Sequence, residues 1–186
     1  MSTLDLHDIQ GNIHRPYGRY GFPYARYFVF HIGEGACAAG RWFIDQIRPR
    51  ITTAEPWRNG KTPKDAPVRD KPPVAVNIAF TWRGLVALQL PTATLQGMPA
   101  EFIEGMAARN TILGDLRIDD DNPGSHPCNW DEVWRASAED PGKAVHVFVS
   151  LNAQADPATG LPVPELQAWT DWLRRLVTYP DAEGVM

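Results

Sequence analysis

Apolar residues in this chain fall into two rhythms, one alternating and one helical, and together they outline most of the secondary structure. From Arg26 to Ile32 the run Arg-Tyr-Phe-Val-Phe-His-Ile is aromatic and β-branched, which predicts a strand. After a Gly-Glu-Gly turn, Ala36, Ala39, Phe43 and Ile47 recur at helical spacing until Pro49 ends the helix. Residues 52–73 are polar and proline-rich and read as a solvated loop. Val74, Val76, Ile78 and Phe80 then alternate with Ala75, Asn77 and Ala79, a second strand whose small opposite face calls for a closely packed neighbour. Segments 82–90 and 99–110 read as short helices, the latter with Pro99 in its first turn and Phe102, Ile103, Met106 and Ala107 as its apolar stripe. The acidic, Gly/Pro-marked stretch from Gly114 to Trp134 reads as irregular. A third strand runs from Ala144 to Leu151. The most regular helix comes last, with Leu166, Trp169, Leu173, Leu176 and Val177 along one side, Pro164 near its start and Pro180 past its end.

The element order is therefore β-α-β, two inserted helices, then β-α. A ferredoxin-like fold has the order βαββαβ, and the first five of its elements are present. The expected class is α+β: a ferredoxin-like antiparallel sheet of the dimeric α+β barrel type, helices packed on one face, final strand missing. Residues 1–25 form an arm and 26–186 the domain. The last strand of that topology pairs beside the first, so without it the strand at Arg26–Ile32 has an edge that something else should cover. The arm, another chain, or further polypeptide would serve.

Composition narrows the classes of partner. The chain has 186 residues, 44% of them hydrophobic, with a net charge of −4, which suits a packed globular protein and gives no electrostatic reason to expect nucleic acid or an anionic membrane. No basic stretch with an apolar h-region opens the sequence, and the apolar runs are strand-sized, so neither a signal peptide nor a membrane span is expected. Two cysteines, Cys37 and Cys128, fit a reducing compartment, and the expected location is cytoplasmic.

Several local patterns carry chemistry elsewhere. Gly33-x-Gly35-x-x-Ala38 has the spacing of a dinucleotide fingerprint, but Glu34 would sit near the pyrophosphate and Glu55, beside Pro56, lies in a loop. A strand-to-helix turn needing positive φ is the simpler reading. Asp119, Asp120 and Asp121 before Gly124 suggest a calcium loop, yet Pro123 and Trp130 occupy ligand positions. His126 and Cys128 flank Pro127 too closely for paired zinc ligands. His31 and His146 lie on predicted strands and would make a metal or haem pair if adjacent, although a half-buried, hydrogen-bonded histidine is the commoner outcome. Cys37 opens a helix, a place that can lower a thiol pKa, but reads as a small buried hydrophobe. Trp82, Trp130, Trp134, Trp169 and Trp172 read as core and interface residues. No catalytic, cofactor-binding or metal-binding residue is assigned.

In combination, several blocks resemble the dye-decolorising (DyP-type) haem peroxidases. Asp8 to Ile13 (Asp-Ile-Gln-Gly-Asn-Ile) looks like that family's N-terminal signature. The strand at Tyr27–Ile32 and Arg-Ile-Thr-Thr at 50–53 are similar to the family's next segment. Val76-Asn77-Ile78-Ala79-Phe80-Thr81 with Gly84-Leu85 resembles its "VNIAFT-x-x-GL" block. Phe102-x-x-Gly105-Met106-x-x-Arg109, with Leu113-Gly114-Asp115 and Trp130, resembles a further segment, and His146–Leu151 with the helix after it also fits. The resemblance spans nearly the whole chain but only the N-terminal half of a family member. It implies two ferredoxin-like halves, haem held mainly by the second, and hydrogen peroxide with an aromatic reductant as substrates. The family's distal Gly-x-x-Asp-Gly motif is absent here, and His146 precedes the place where that motif would begin, so no catalytic residue carries over. The expectation is an N-terminal half inactive alone, whose partner is the C-terminal half or a second copy. The alternative is a haem-free ferredoxin-like binding or assembly module that dimerises through its sheet. A nucleotide-binding oxidoreductase built on the Gly-x-Gly turn is a third reading.

Overall fold

Three strands form, each overlapping an expected one: β1 is Tyr24–Phe30, β2 Val74–Phe80 and β3 Val147–Ala153. The structure, a computed structural model, describes residues 4–15, 17, 21–58, 61, 68–116, 119 and 124–178. Its helices are α1 Gly11–His14, α2 Cys37–Ile47, α3 Trp82–Ala87, α4 Thr92–Gln96, α5 Ala100–Ala108, α6 Asn110–Leu113, α7 Glu132–Glu139 and α8 Glu165–Thr178. The strands form one sheet in the order β1-β3-β2. His146 N–H donates to Phe30 O at 2.9 Å, Thr81 N–H to His146 O at 3.2 Å and Gln154 N–H to Pro73 O at 2.9 Å. The end of β1 and the end of β2 thus both meet the start of β3, which makes both pairings antiparallel. β1 and β2 run parallel with β3 between them, the split β-α-β of a ferredoxin-like sheet, and β1 lies at an edge.

Contacts divide the chain into two compact units, Met1–Phe28 with Phe43–Ile78 and Val149–Met186, and Val29–Trp42 with Ala79–Phe148. In the first, the outer edge of β2 is closed by segments that sequence alone assigned to an arm and a loop. Thr52 N–H donates to Val76 O at 2.8 Å and Thr52 Oγ1 accepts from Val76 N–H at 2.9 Å. One pleat further on, the Gln10 side-chain amide donates to Ile78 O at 2.8 Å and accepts from Ile78 N–H at 2.9 Å. A side-chain amide has the same donor and acceptor as a peptide group, so Gln10 acts as one residue of a missing strand. Gln10 itself bridges to Thr53, and Gly11 N–H donates to Thr52 O at 2.8 Å.

That closure explains the small face of β2. Tyr17 and Phe22 pack on Ala75, with Trp57 against them, and the Tyr17 and Phe22 ring centroids lie 5.2 Å apart. Asn77 is buried and donates to Gln10 Oε1 at 3.2 Å. In α8, Leu166, Thr170 and Leu173 form the buried face, the Thr170 hydroxyl satisfied by Leu166 O at 2.8 Å. Burying a leucine side chain contributes roughly 1.5–3 kcal/mol.

The second unit turns on Thr81. Its Oγ1 accepts from Gly84 N–H at 3.1 Å, capping α3, and donates to Val145 O at 2.6 Å. A Cβ at Gly84 would run into the His146 carbonyl, so the helix lies on that backbone only because the residue is glycine. α3 packs on α5, and α5 on α6.

Several expectations are corrected. The first strand begins at Tyr24, two residues earlier than Arg26, and the third is shifted toward its C-terminus. The 99–110 helix is two helices, and α5 is itself interrupted by Gly105 at φ 76°. Residues on either side of that break share no face, and Phe102, Ile103 and Met106 are exposed rather than forming a buried stripe. α7 occupies the end of the stretch read as irregular. Its indole contact, Trp134 with Phe148 at 6.2 Å, is a tertiary one that periodicity does not show. α4 was not expected at all. Pro180, Asp120, Asp121 and Pro123 lie outside the described residues.

Two substitutions test these roles. Gln10→Ala leaves two backbone groups of β2 without their partner and is expected to lower stability by about 1–3 kcal/mol, read as a shifted urea midpoint at unchanged m-value. Gly84→Ala forces a carbonyl collision and is expected to cost about 1–3 kcal/mol or more, with Gly97→Ala, at the end of α4, as the tolerated control.

Candidate functional site

The ends of β1 and β3 bring His31 and His146 together. Both flank their strands rather than lying within them, and their rings stack with centroids 4.6 Å apart at 24°. His31 is exposed and His146 is 7% exposed. Their tautomers are set by their partners. His31 Nδ1 lies 2.8 Å from Ala144 O, an acceptor, so that nitrogen carries the proton. His146 Nδ1 accepts from Ile32 N–H at 2.9 Å, so its proton sits on Nε2. Burial holds the His146 pKa below its ordinary value of 6.5, and the neighbouring His31 and Arg83 push it the same way.

His146 does not fit a haem. An axial histidine needs a nitrogen lone pair aimed into a cavity, and the lone pair of His146 is taken by Ile32, whereas His31, an exposed ring, keeps the lone pair of its Nε2. The cavity of about 270 Å³ in the first unit is lined by Arg50, Glu165, Ala168, Trp169 and Trp172 and contains no histidine. Among the described residues no cluster of three or more His, Cys, Asp or Glu side chains is placed to hold a metal ion.

The remaining candidates resolve into structure. Gly35 adopts φ 77°, so the Gly-x-Gly turn needs glycine for its backbone at that position, and Ala36 N–H closes the turn onto Gly33 O at 3.1 Å. Ala38 is exposed on α2. Glu55 is engaged by Thr53 Oγ1 and His7 Nδ1, each at 3.1 Å. Cys37 is half-exposed rather than buried and donates its thiol to Leu88 O at 3.3 Å. Cys128 is exposed, and its N–H donates to His126 Nδ1 at 3.2 Å in a local turn. Asp119 is exposed, while Gly124 O accepts from Asn129 at 2.8 Å.

One grouping escaped sequence reasoning. Arg50 lies over the Trp172 ring at 4.7 Å, and Trp169 meets Trp172 edge to face at 5.2 Å and 88°. Both indoles are half-exposed. The signal was available in part: Trp172 falls about 100° around the helix from Leu173, off the core stripe. The partner Arg50, distant in sequence, was not.

The backbone arrangement is similar to that of several solved structures. A fungal DyP-type peroxidase from Auricularia auricula-judae matches 95% of the chain with a TM-score of 0.57 and 18% identity. An ancestral D-type dye-decolorising peroxidase matches 94% with a TM-score of 0.56 and 22% identity. A third structure, described as DyP, gives 0.55 and 18% over 94%. The chain shares the DyP-type peroxidase fold. It spans about 31% of the length of each of these proteins. No family model matches the sequence, and no curated protein does so. Within the DyP-type fold the chain supplies a three-stranded antiparallel sheet with helices, and among the described residues no helix is long and apolar enough to cross a membrane.

The histidine pair predicts a pH dependence. A histidine pKa lowered by folding means that the folded chain binds fewer protons than the unfolded one below pH 6.5. Its stabilising contribution is full above that value and is lost as pH falls through it. The urea midpoint should therefore decline from about pH 7 to about pH 5. His146→Gln should flatten that decline and His31→Gln reduce it. An equal slope in wild type and His146→Gln would show that other groups govern it.

Proposed function

We propose that this chain is a haem-free scaffold portion of a DyP-type peroxidase, and that peroxide chemistry requires further polypeptide carrying the haem ligand and distal acid. The observation that supports this reading best is the strand order β1-β3-β2. In a ferredoxin-like sheet the final strand lies beside the first, and β1 occupies that edge. The fold match over 94–95% of the chain, but about 31% of each matched protein, is in keeping with it. So are the sequence blocks at Asp8–Ile13 and Val76–Leu85. In the complete assembly, haem would supply peroxide activation and an aromatic compound would be the reductant. This chain's residues would hold the sheet against which the haem-bearing part folds. A cytoplasmic setting suits the two unpaired cysteines.

A dimer formed through the β1 edge is the alternative, favoured by the same strand order. The test separates the two. The purified chain is mixed with haemin and followed for a Soret shift, for peroxide-dependent oxidation of a phenolic dye, and for mass by light scattering. The expected outcome is no stoichiometric haem complex and no turnover above free haemin. A one-to-one haem complex lost in His31→Ala or His146→Ala, or turnover by the chain alone, would overturn the scaffold reading. A concentration-dependent dimer without haem would favour the assembly module.

A further inference from the structure

A shallow groove along α8 presents two indoles between oppositely charged side chains. Its residues Glu165, Ala168, Trp169 and Trp172 succeed one another along a single helix face, and Arg50 closes it from the side. The same helix buries Leu166, Thr170 and Leu173 to 4% exposure or less on its core face. Trp169 and Trp172 thus belong to a second face that the core does not use. Set at 88°, the two indoles make a corner, and a flat ring placed in it stacks on one and turns its edge to the face of the other.

Charge fixes the orientation. Arg50 sits over Trp172, and its Nη1 donates to Gln46 O at 2.7 Å. Among the described residues its other N–H groups have no protein acceptor, which leaves part of the guanidinium fork for a carboxylate. Glu165 lies seven residues earlier, about 10 Å along the axis from Trp172. The cleft is cationic at one end, anionic at the other and apolar between. Its volume is about 270 Å³ and it is largely open to solvent, which suits a fragment-sized molecule covered on one side only.

We propose that this cleft binds a planar aromatic monoacid, its carboxylate on Arg50, its ring against Trp169 and Trp172, and a hydroxyl at its far end donating to Glu165. A second carboxylate would face Glu165 and be rejected. The inference concerns binding by this chain alone and stands apart from the peroxidase reading, because it involves neither haem nor peroxide.

The probes are 6-hydroxy-2-naphthoate, neutral 2-naphthol and naphthalene-2,6-dicarboxylate, titrated by calorimetry and by indole fluorescence. The hydroxynaphthoate should bind with a Kd of roughly 1 mM. It should bind more tightly than either of the others. Arg50→Gln is expected to weaken it about fivefold, the upper range for an exposed ion pair, and to leave 2-naphthol unchanged. Trp169→Ala should weaken both. Glu165→Gln should bring the dicarboxylate level with the hydroxynaphthoate. Arg50 and Glu165 are exposed, so their variants should keep the wild-type urea midpoint. Trp169→Ala removes a half-buried ring and lowers the midpoint, and its binding is measured without denaturant, where the variant is folded. Arg50→Lys, which keeps charge but not the fork, provides a second reading of that end. No saturable binding to about 10 mM, ten times the expected Kd, or affinities indifferent to both Arg50→Gln and Trp169→Ala, would overturn the proposal.

Discussion

The side-chain amide of Gln10 holds the first unit together, because it closes the edge of a strand that is buried on both faces. From Val74 to Ile78 every residue of β2 is buried. Such a strand has no access to water for its outward N–H and C=O groups, and an unpaired buried peptide group costs free energy comparable to a lost hydrogen bond. Thr52 and Gln10 supply the partners at Val76 and Ile78. Once they are in place, Asn77 can turn its amide to Gln10 and Thr52 O, and Tyr17 can pack over Ala75. Burial of Tyr17 in turn raises its phenol pKa, against the smaller opposing effects of Asn77 and Arg15. A segment that looks like a polar arm is therefore structural.

What was legible in the sequence was periodicity, and what was not was long-range pairing. β2 spans the same residues, 74–80, that its alternation marked, although both of its faces are buried from Val74 to Ile78, and α8 appears where the Leu166–Leu173 spacing places it. The small face of β2 correctly implied a close neighbour but not which one, since Tyr17 and Phe22 sit more than fifty residues upstream. The apolar spacing of Phe102, Ile103 and Met106 was misleading because Gly105 breaks the helix between them. The histidines show the same division. Each was readable as a strand-associated residue, while their stacking depends on the register between β1 and β3, which no local pattern encodes.

Two aromatic groupings differ in how much of their bonding capacity is already spent. In the His31–His146 pair, each Nδ1 has a backbone partner and the rings cover one another. His146 therefore has no lone pair left for a ligand, while His31 keeps one on Nε2. At the Trp169–Trp172 corner, the indoles are half-exposed and the Arg50 fork is only partly used. Unspent capacity, rather than residue type, is what separates a site from a packing motif here.

Spent capacity also limits how much the DyP-type resemblance transfers. Gln10 closes an edge, Asn77 fills a buried polar position, Thr81 caps α3, and Gly84 lets that helix lie on the His146 carbonyl. Arg109 pairs with Glu104 at 2.7 Å. Each of these belongs to the blocks that carry the resemblance, and each has a folding role that accounts for its identity. A match built from such residues specifies a scaffold. It is evidence about how the backbone is arranged, and it would look the same whether or not iron chemistry took place beside it.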